Sequence, residues 1–414
     1  MRKKYFCFWF LLFLFIFIVA GTTFYKLSSQ KISLSGHKVV LCIPVYGQSL
    51  ALGEEAVKVT DFNKLRNDYQ GRIMTENLDY EFGYFDTNRF KQILKKLLCY
   101  QKRSFELSVY SMAEELATQL GEDTLICIFP GGQGTTPIAK LGKGTLPYNR
   151  FVSCIKSAYE KAKERGWEFY VPAICWMQGE SDIAEYTDVN YKYLLRQFCT
   201  DINEEVKHAT HQQKPVRIIC YQTNCLTRAA NFDEKQFLCR EMTVPQAQLE
   251  LVRDDSLFWP SGPIYPYSYV REAIHIDGKS QRELGKLEAH SAIRIIHGQK
   301  KCHGLYPQAI LAEGHDVLIH YSIPSPPLQL DTIRVAKVPH KGFSVINNKH
   351  QDIVESVVIE DRIVRLRCSQ SPSGCSVRYA VNGEAMKSGH KYGPRGNLRD
   401  DDMHWAYQFI HRIN

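Results

Sequence analysis

Short apolar runs recur at residues 39–46, 125–130, 169–176 and 216–222, with a weaker one at 254–260. Runs this brief, apolar without strict alternation, have the pattern of strands buried on both faces. Between them, residues 90–98, 111–120, 148–165, 191–206 and 281–296 carry apolar side chains at helical spacing. Strand and helix in alternation predict a doubly wound parallel sheet with helices on both faces, and such a sheet binds ligands at the carboxyl ends of its strands. From about Gly304 the pattern changes to short alternating or β-branched runs at 312–321, 332–338, 342–346, 353–359, 364–368 and 376–379. These predict a small C-terminal all-β domain, with the proline-rich stretch 323–327 inside it. The boundaries that follow are 1–27 for an N-terminal membrane anchor or signal peptide, 28–36 for a linker, 37–300 for the α/β domain and 301–414 for the β-rich accessory domain.

Arg2-Lys3-Lys4 precedes an almost purely apolar run at 5–20, extended by small residues to Tyr25. It is long for a signal-peptide apolar region and barely long enough to span a bilayer, and Ile18 stands where cleavage after Ala20 prefers a small residue. The basic flank places the N-terminus in the cytoplasm, so the rest of the chain is expected outside it, anchored through residues 5–25 or secreted after cleavage. A formal charge of +8 over 414 residues is modest, and Lys and Arg are interleaved with Glu and Asp. No basic stripe for nucleic acid emerges. Of thirteen cysteines, Cys42, Cys127, Cys175 and Cys220 sit in apolar strand patterns as core thiols. Cys368 and Cys375 flank a hairpin-like turn and are the best disulfide candidates in an oxidising compartment.

Polar chemistry gathers where the predicted strands end. The run 169–176 breaks into Trp176-Met177-Gln178-Gly179-Glu180-Ser181-Asp182, and the run 39–46 leads into Gly47-Gln48-Ser49. Ser49, between a strand and an expected helix, would project at the sheet's carboxyl edge with helix-start amides ready for an oxyanion, although serine at such a junction is commonly only an N-cap. Gln178 offers a side-chain amide from a neighbouring strand end, against the plainer reading of a structural amide. The glycine-rich residues 131–136 can add a backbone N–H, from Gly134 first and Gly132 second. Their spacing fails the dinucleotide fingerprint because Pro137 takes the third glycine's place. His208 and His211 lack a third ligand, so a surface role outweighs zinc. His275, just ahead of a helix expected near Ser280, is the best base. Glu272, Glu180 and Asp182 are all candidates to orient it.

Taken in order, Gly47-Gln48-Ser49, residues 131–138, the Trp176 to Asp182 stretch, and His275 with Gly285 beyond it resemble the SGNH-hydrolase superfamily. The likeness is closest to its carbohydrate-esterase branch of sialate O-acetylesterase-like and acetylxylan esterase-like proteins. The resemblance implies a flavodoxin-like three-layer parallel sheet, Ser49 as nucleophile and His275 as base. It also implies oxyanion donors from the Ser49 amide, the glycine loop and Gln178, with no metal and no cofactor. Leu50 departs from the usual asparagine after the serine, and Glu272 stands where an aspartate is usual, which leaves Glu272 against Glu180 open. Residues 378–380 and 395–400 resemble segments closing the β region of some glycan-directed members, and equally fit a packed domain edge. The activity implied is a serine esterase that removes O-acyl groups, acetyl first, from a glycan through a covalent acyl-enzyme. The alternatives are an acyltransferase using the same site and an inactive glycan-binding surface protein.

Overall fold

A computed structural model describes residues 38–61, 64–65, 68–69, 71–75, 105–184, 189–224, 242–384 and 386–414. The N-terminal apolar segment and the helix expected at 90–98 lie outside these. Among the described residues no helix is long and apolar enough to cross a membrane. Residues Lys38–Asn414 form one compact unit.

The strands of the α/β part are β1 (Val39–Cys42), β2 (Val45–Gly47), β3 (Ile73–Met74), β4 (Thr124–Cys127), β5 (Pro130–Gly132), β6 (Glu168–Tyr170), β7 (Ala173–Met177), β8 (Arg217–Gln222) and β9 (Phe258–Pro263). Three of the predicted runs are thus split in two. Pro44 and Pro172 bring no N–H to the ladder, and neighbouring strands pause at the same level. The pairings run β3-β4-β1-β6 in one half and β5-β2-β7-β8-β9 in the other, all parallel. Read through the pauses, and with the two-residue β3 set aside as an edge strand beyond β4, the second long strand (β4 and β5) lies outside the first, and the third, fourth and fifth follow on the first strand's other side. This is the flavodoxin-like order, whose switch point falls between β2 and β7.

Helix α1 (Ser108–Gln119) packs with α6 (Gly278–Ile296) on one face, while α2 (Leu146–Lys163), α4 (Tyr191–Thr210) and α5 (Thr243–Asp254) cover the other. The short α3 (Glu180–Ala184) follows β7 directly. Caps set the starts: Asn190 accepts the N–H of Tyr193 at 3.0 Å, and Asp277 accepts that of Ser280 at 2.8 Å. Gly285 lets α6 lie against α1, since a Cβ there would stand 2.0 Å from the Ser108 carbonyl oxygen. Between these helices and the sheet, Met112, Leu116, Cys175, Met177, Ile219 and Leu284 are fully buried in a common core.

The C-terminal part is antiparallel. Strands β10 (Tyr306–Glu313), β11 (Asp316–Ser322), β14 (Val354–Glu360) and β15 (Ile363–Cys368) make one sheet in the order β10-β11-β15-β14. A second sheet joins β13 (Phe343–Ile346), β16 (Ser376–Tyr379) and β18 (Phe409–Arg412), while β12 (Gln329–Leu330) pairs with β17 (Leu398–Arg399). The run expected at 312–321 is a hairpin turning at Gly314, whose φ is +61°. Residues 332–338 form turns because the Asp331 side chain accepts the N–H groups of Ile333 and Arg334 at 3.0 and 2.8 Å, diverting the backbone from a ladder. Cys368 and Cys375 are free thiols, not a disulfide, with each sulfur facing a nearby carbonyl. The two parts are joined by reciprocal amide bonds, Gln222 Nε2 donating to the Gln408 carbonyl at 2.9 Å and the Gln408 N–H to Gln222 Oε1 at 2.8 Å.

Candidate active site

Strand β2 delivers Ser49 to the carboxyl edge between β5 and β7, beside the switch point. The three strands approach unusually closely. A Cβ on Gly47 would sit 1.9 Å from the Met177 carbonyl oxygen, and one on Gly132 (φ +111°) 1.9 Å from the Gly47 oxygen. No side chain fits at either position, so both glycines are required by this convergence. Beyond Ser49 the expected helix is absent. Residues 49–55 form successive turns, with Gly53 and Glu55 at φ of +69° and +62°. The Ser49 carbonyl accepts the N–H groups of Leu52 and Glu54 at 3.2 and 3.0 Å. Among the described residues, neither the Ser49 nor the Gly134 N–H is used within the protein, leaving two donors at this edge.

The same run of turns brings two glutamates to His275. The imidazole Nδ1 donates to Glu55 Oε2 at 2.7 Å, and Glu54 Oε2 lies 4.0 Å from Nε2. Among the described residues Glu54 Oε1 has no hydrogen-bond partner, and it is buried against Gly134. Arg271 also binds Glu55, so the carboxylate on Nδ1 is itself held from a second side. Gln281 Nε2, from the first turns of α6, donates to the Leu50 carbonyl at 3.0 Å and fastens the His275 segment to the Ser49 turn. A carboxylate on Nδ1 fixes the imidazole tautomer with its basic nitrogen at Nε2, and it stabilises the imidazolium once a proton arrives.

The carboxylates considered from the sequence lie differently. Arg271 and Glu272 both adopt left-handed φ of 54°, which turns Glu272 away from the imidazole and onto Lys387, whose Nζ donates to its Oε2 at 2.6 Å. The Ser388 N–H donates to the Glu272 carbonyl at 3.0 Å, so this loop of the C-terminal part braces the histidine loop. Glu180 is buried under β8, where Tyr221 and Thr223 hydroxyls donate to its Oε1 at 2.5 and 2.6 Å. Burial pushes its carboxyl above the ordinary value, against the opposing pull of those hydroxyls and of nearby His275. Asp182 accepts the Ile138 N–H at 2.9 Å and Gln178 Nε2 at 2.5 Å.

Gln178 is fully buried and its amide is engaged on every side. Nε2 donates to Asp182 and to the Thr136 carbonyl at 3.2 Å, while Oε1 accepts from the Tyr191 hydroxyl at 2.9 Å. With both amide protons committed, this conformation leaves none for an oxyanion, and the side chain instead clamps the glycine loop to α3 and α4. Gln48 has a similar part that the sequence reading missed. Its Oε1 accepts the Gly179 and Ser181 N–H groups at 3.4 and 3.2 Å, capping α3. Glu55 was missed too, because an expected helix would have placed it away from His275.

Residues 108–294 match the family model described as carbohydrate esterase, sialic acid-specific acetylesterase. That stretch contains Gly134, Gln178, Glu180, Glu272 and His275, while Ser49 precedes it. The fold is similar to that of a carbohydrate acetylesterase from Xanthomonas citri, at 14% identity and a TM-score of 0.55, over 90% of this chain and 80% of that one. More distant likenesses are an Arabidopsis thaliana protein (16% identity, TM-score 0.42, 62% and 98% covered) and NanS (12%, 0.44, 64% and 100%). No curated protein sequence matches the chain. The family match points to a carboxylic ester hydrolase, built on a parallel α/β core of the kind the Xanthomonas citri protein has. Within that class, residues 108–294 are similar to the sialic acid-specific acetylesterase family of carbohydrate esterases.

Proposed function

We propose that this protein removes O-acetyl groups from a glycan by way of a covalent acyl-enzyme on Ser49. The observation that carries the reading is His275, held at Nδ1 by Glu55 and fastened through Gln281 to the turn that bears Ser49. Ser49 Oγ attacks the ester carbonyl as its proton passes to His275 Nε2, and Glu55 stabilises the resulting imidazolium. The Ser49 and Gly134 N–H groups receive the oxyanion. Collapse of the tetrahedral adduct breaks the bond to the sugar oxygen, which takes the proton from His275. Water, deprotonated by the same histidine, then releases acetate and restores the serine.

The family description supports an O-acetylated sialic acid as the first substrate to test. The basic and apolar N-terminal residues support placing the enzyme outside the cytoplasmic membrane, anchored by residues 5–25 or released from them. Ser49→Ala and His275→Ala should each abolish acetate release from an acetyl ester while leaving far-UV circular dichroism unchanged. Undiminished turnover in either variant refutes the mechanism.

A further inference from the structure

Outside the catalytic cluster, the loop between β17 and β18 is shaped by one buried carboxylate. Asp400 accepts the N–H groups of Asp402 at 3.1 Å, His404 at 2.9 Å and Ser325 at 2.9 Å, and also lies 3.0 Å from His404 Nδ1. Its side chain is fully enclosed. Nothing in the proposed ester hydrolysis uses this arrangement. The carboxylate assigns the His404 proton to Nδ1 and leaves Nε2 as the nitrogen with a free lone pair, which is how metal-binding histidines are commonly oriented. Met403, at a left-handed φ of 63°, bends the chain between Asp402 and His404.

Across from this loop stands His290 on α6, its ring centroid 6.0 Å from that of His404. One donor atom from each of His290, Asp402 and His404 lies within 4.8 Å of the others. All three border a cavity of ≈ 510 Å³. Burial, and then the facing His404, holds the His290 imidazole below its ordinary value.

We propose that His290, Asp402 and His404 bind a divalent transition-metal ion of the zinc type, with solvent from the cavity completing a four-coordinate shell. Two imidazoles and one carboxylate suit such an ion far better than magnesium or calcium, which take oxygen donors. Tetrahedral coordination at about 2.0 to 2.2 Å brings donors to roughly 3.3 to 3.6 Å of one another. The exposed Asp402 side chain and small rotations of the two rings supply that closure. Bound there, the ion ties the loop at 400–404 to α6, and so the C-terminal β part to the α/β part.

The test is zinc titration of the chelator-treated full chain by calorimetry, with cobalt(II) absorption as a second reading of coordination. The expected result is one zinc per chain, a tetrahedral cobalt spectrum, and a rise in Tm on zinc addition. His290→Gln and His404→Gln should each weaken binding at least tenfold, and Asp400→Asn should do so by about 10- to 100-fold through its hold on His404. Circular dichroism of each variant without metal separates lost binding from lost folding. Absence of stoichiometric binding in the wild type, or wild-type affinity in a folded His290→Gln/His404→Gln double variant, overturns the proposal.

Discussion

Replacing Glu55 by Gln keeps the shape of the side chain and an acceptor oxygen for His275 Nδ1, but removes the negative charge. The 2.7 Å contact is charge-assisted whenever the imidazole is protonated, as it is in the transition state. Hydrogen bonds to charged groups contribute about 1.5 to 3 kcal/mol. A Coulomb estimate at about 4 Å and an effective dielectric constant of about 20 gives about 4 kcal/mol. Glu55 is one-third exposed, which argues against the upper end, but Arg271 would be left beside the imidazolium without its counter-charge, which argues for it. A range of about 2 to 4 kcal/mol corresponds to a loss of about 30- to 1,000-fold in kcat. The same kinetics should show Glu272→Gln within about threefold of wild type, since it loses only a partly exposed pair with Lys387. The assay is acetate release at saturating substrate, with circular dichroism to confirm folding. A kcat for Glu55→Gln within threefold of wild type, with Glu272→Gln or Glu180→Gln falling by the larger factor, refutes the assignment.

Gly47→Ala places a methyl group into the Met177 carbonyl and should destabilise the protein by on the order of 3 kcal/mol, measured by urea unfolding. Gln178→Ala strips partners from Asp182 and Tyr191 inside the core and should lower stability by about 2 to 4 kcal/mol. A hundredfold loss of kcat at unchanged Tm would instead assign Gln178 to the oxyanion. Burial pushes the Glu288 carboxyl up to about 8 in the folded protein, so the native state keeps a proton that the unfolded chain has released above its ordinary value of 4.5. Its contribution is greatest below about pH 4.5, declines as pH rises, and is gone above about pH 8, a change of up to about 5 kcal/mol. Glu288→Gln should therefore flatten the dependence of Tm on pH between about 5 and 8; an unaltered slope contradicts this origin.

The central sheet was legible because buried parallel strands must be apolar on both faces, and the runs beginning at Val39, Leu125, Phe169 and Val216 leave no other reading. Their splitting at Pro44 and Pro172 was legible only in hindsight, since a strand can also end at a proline. The site was legible as far as Ser49, the glycine loop and His275 standing at strand ends or loops of one sheet edge. The partner of His275 was not. Sequence proximity made Glu272 one of the candidates, but two consecutive left-handed residues turn it to Lys387, and neither arginine nor glutamate advertises that conformation. Glu55 was hidden by the opposite error, a helix expected where Gly53 and Glu55 instead bend the chain back on itself. Gln178 shows a third kind of difference. The motif marks it as a site residue, whereas its hydrogen bonds with Asp182, Thr136 and Tyr191 mark it as a clamp.

The most direct test of the account is release of acetate from an O-acetylated sialic acid by the full chain, set beside an equally folded Ser49→Ala variant. The account predicts release by the wild type and none above background from the variant. Equal release by both, or none from the wild type on any acetylated glycan or model acetyl ester, contradicts a serine esterase centred on Ser49.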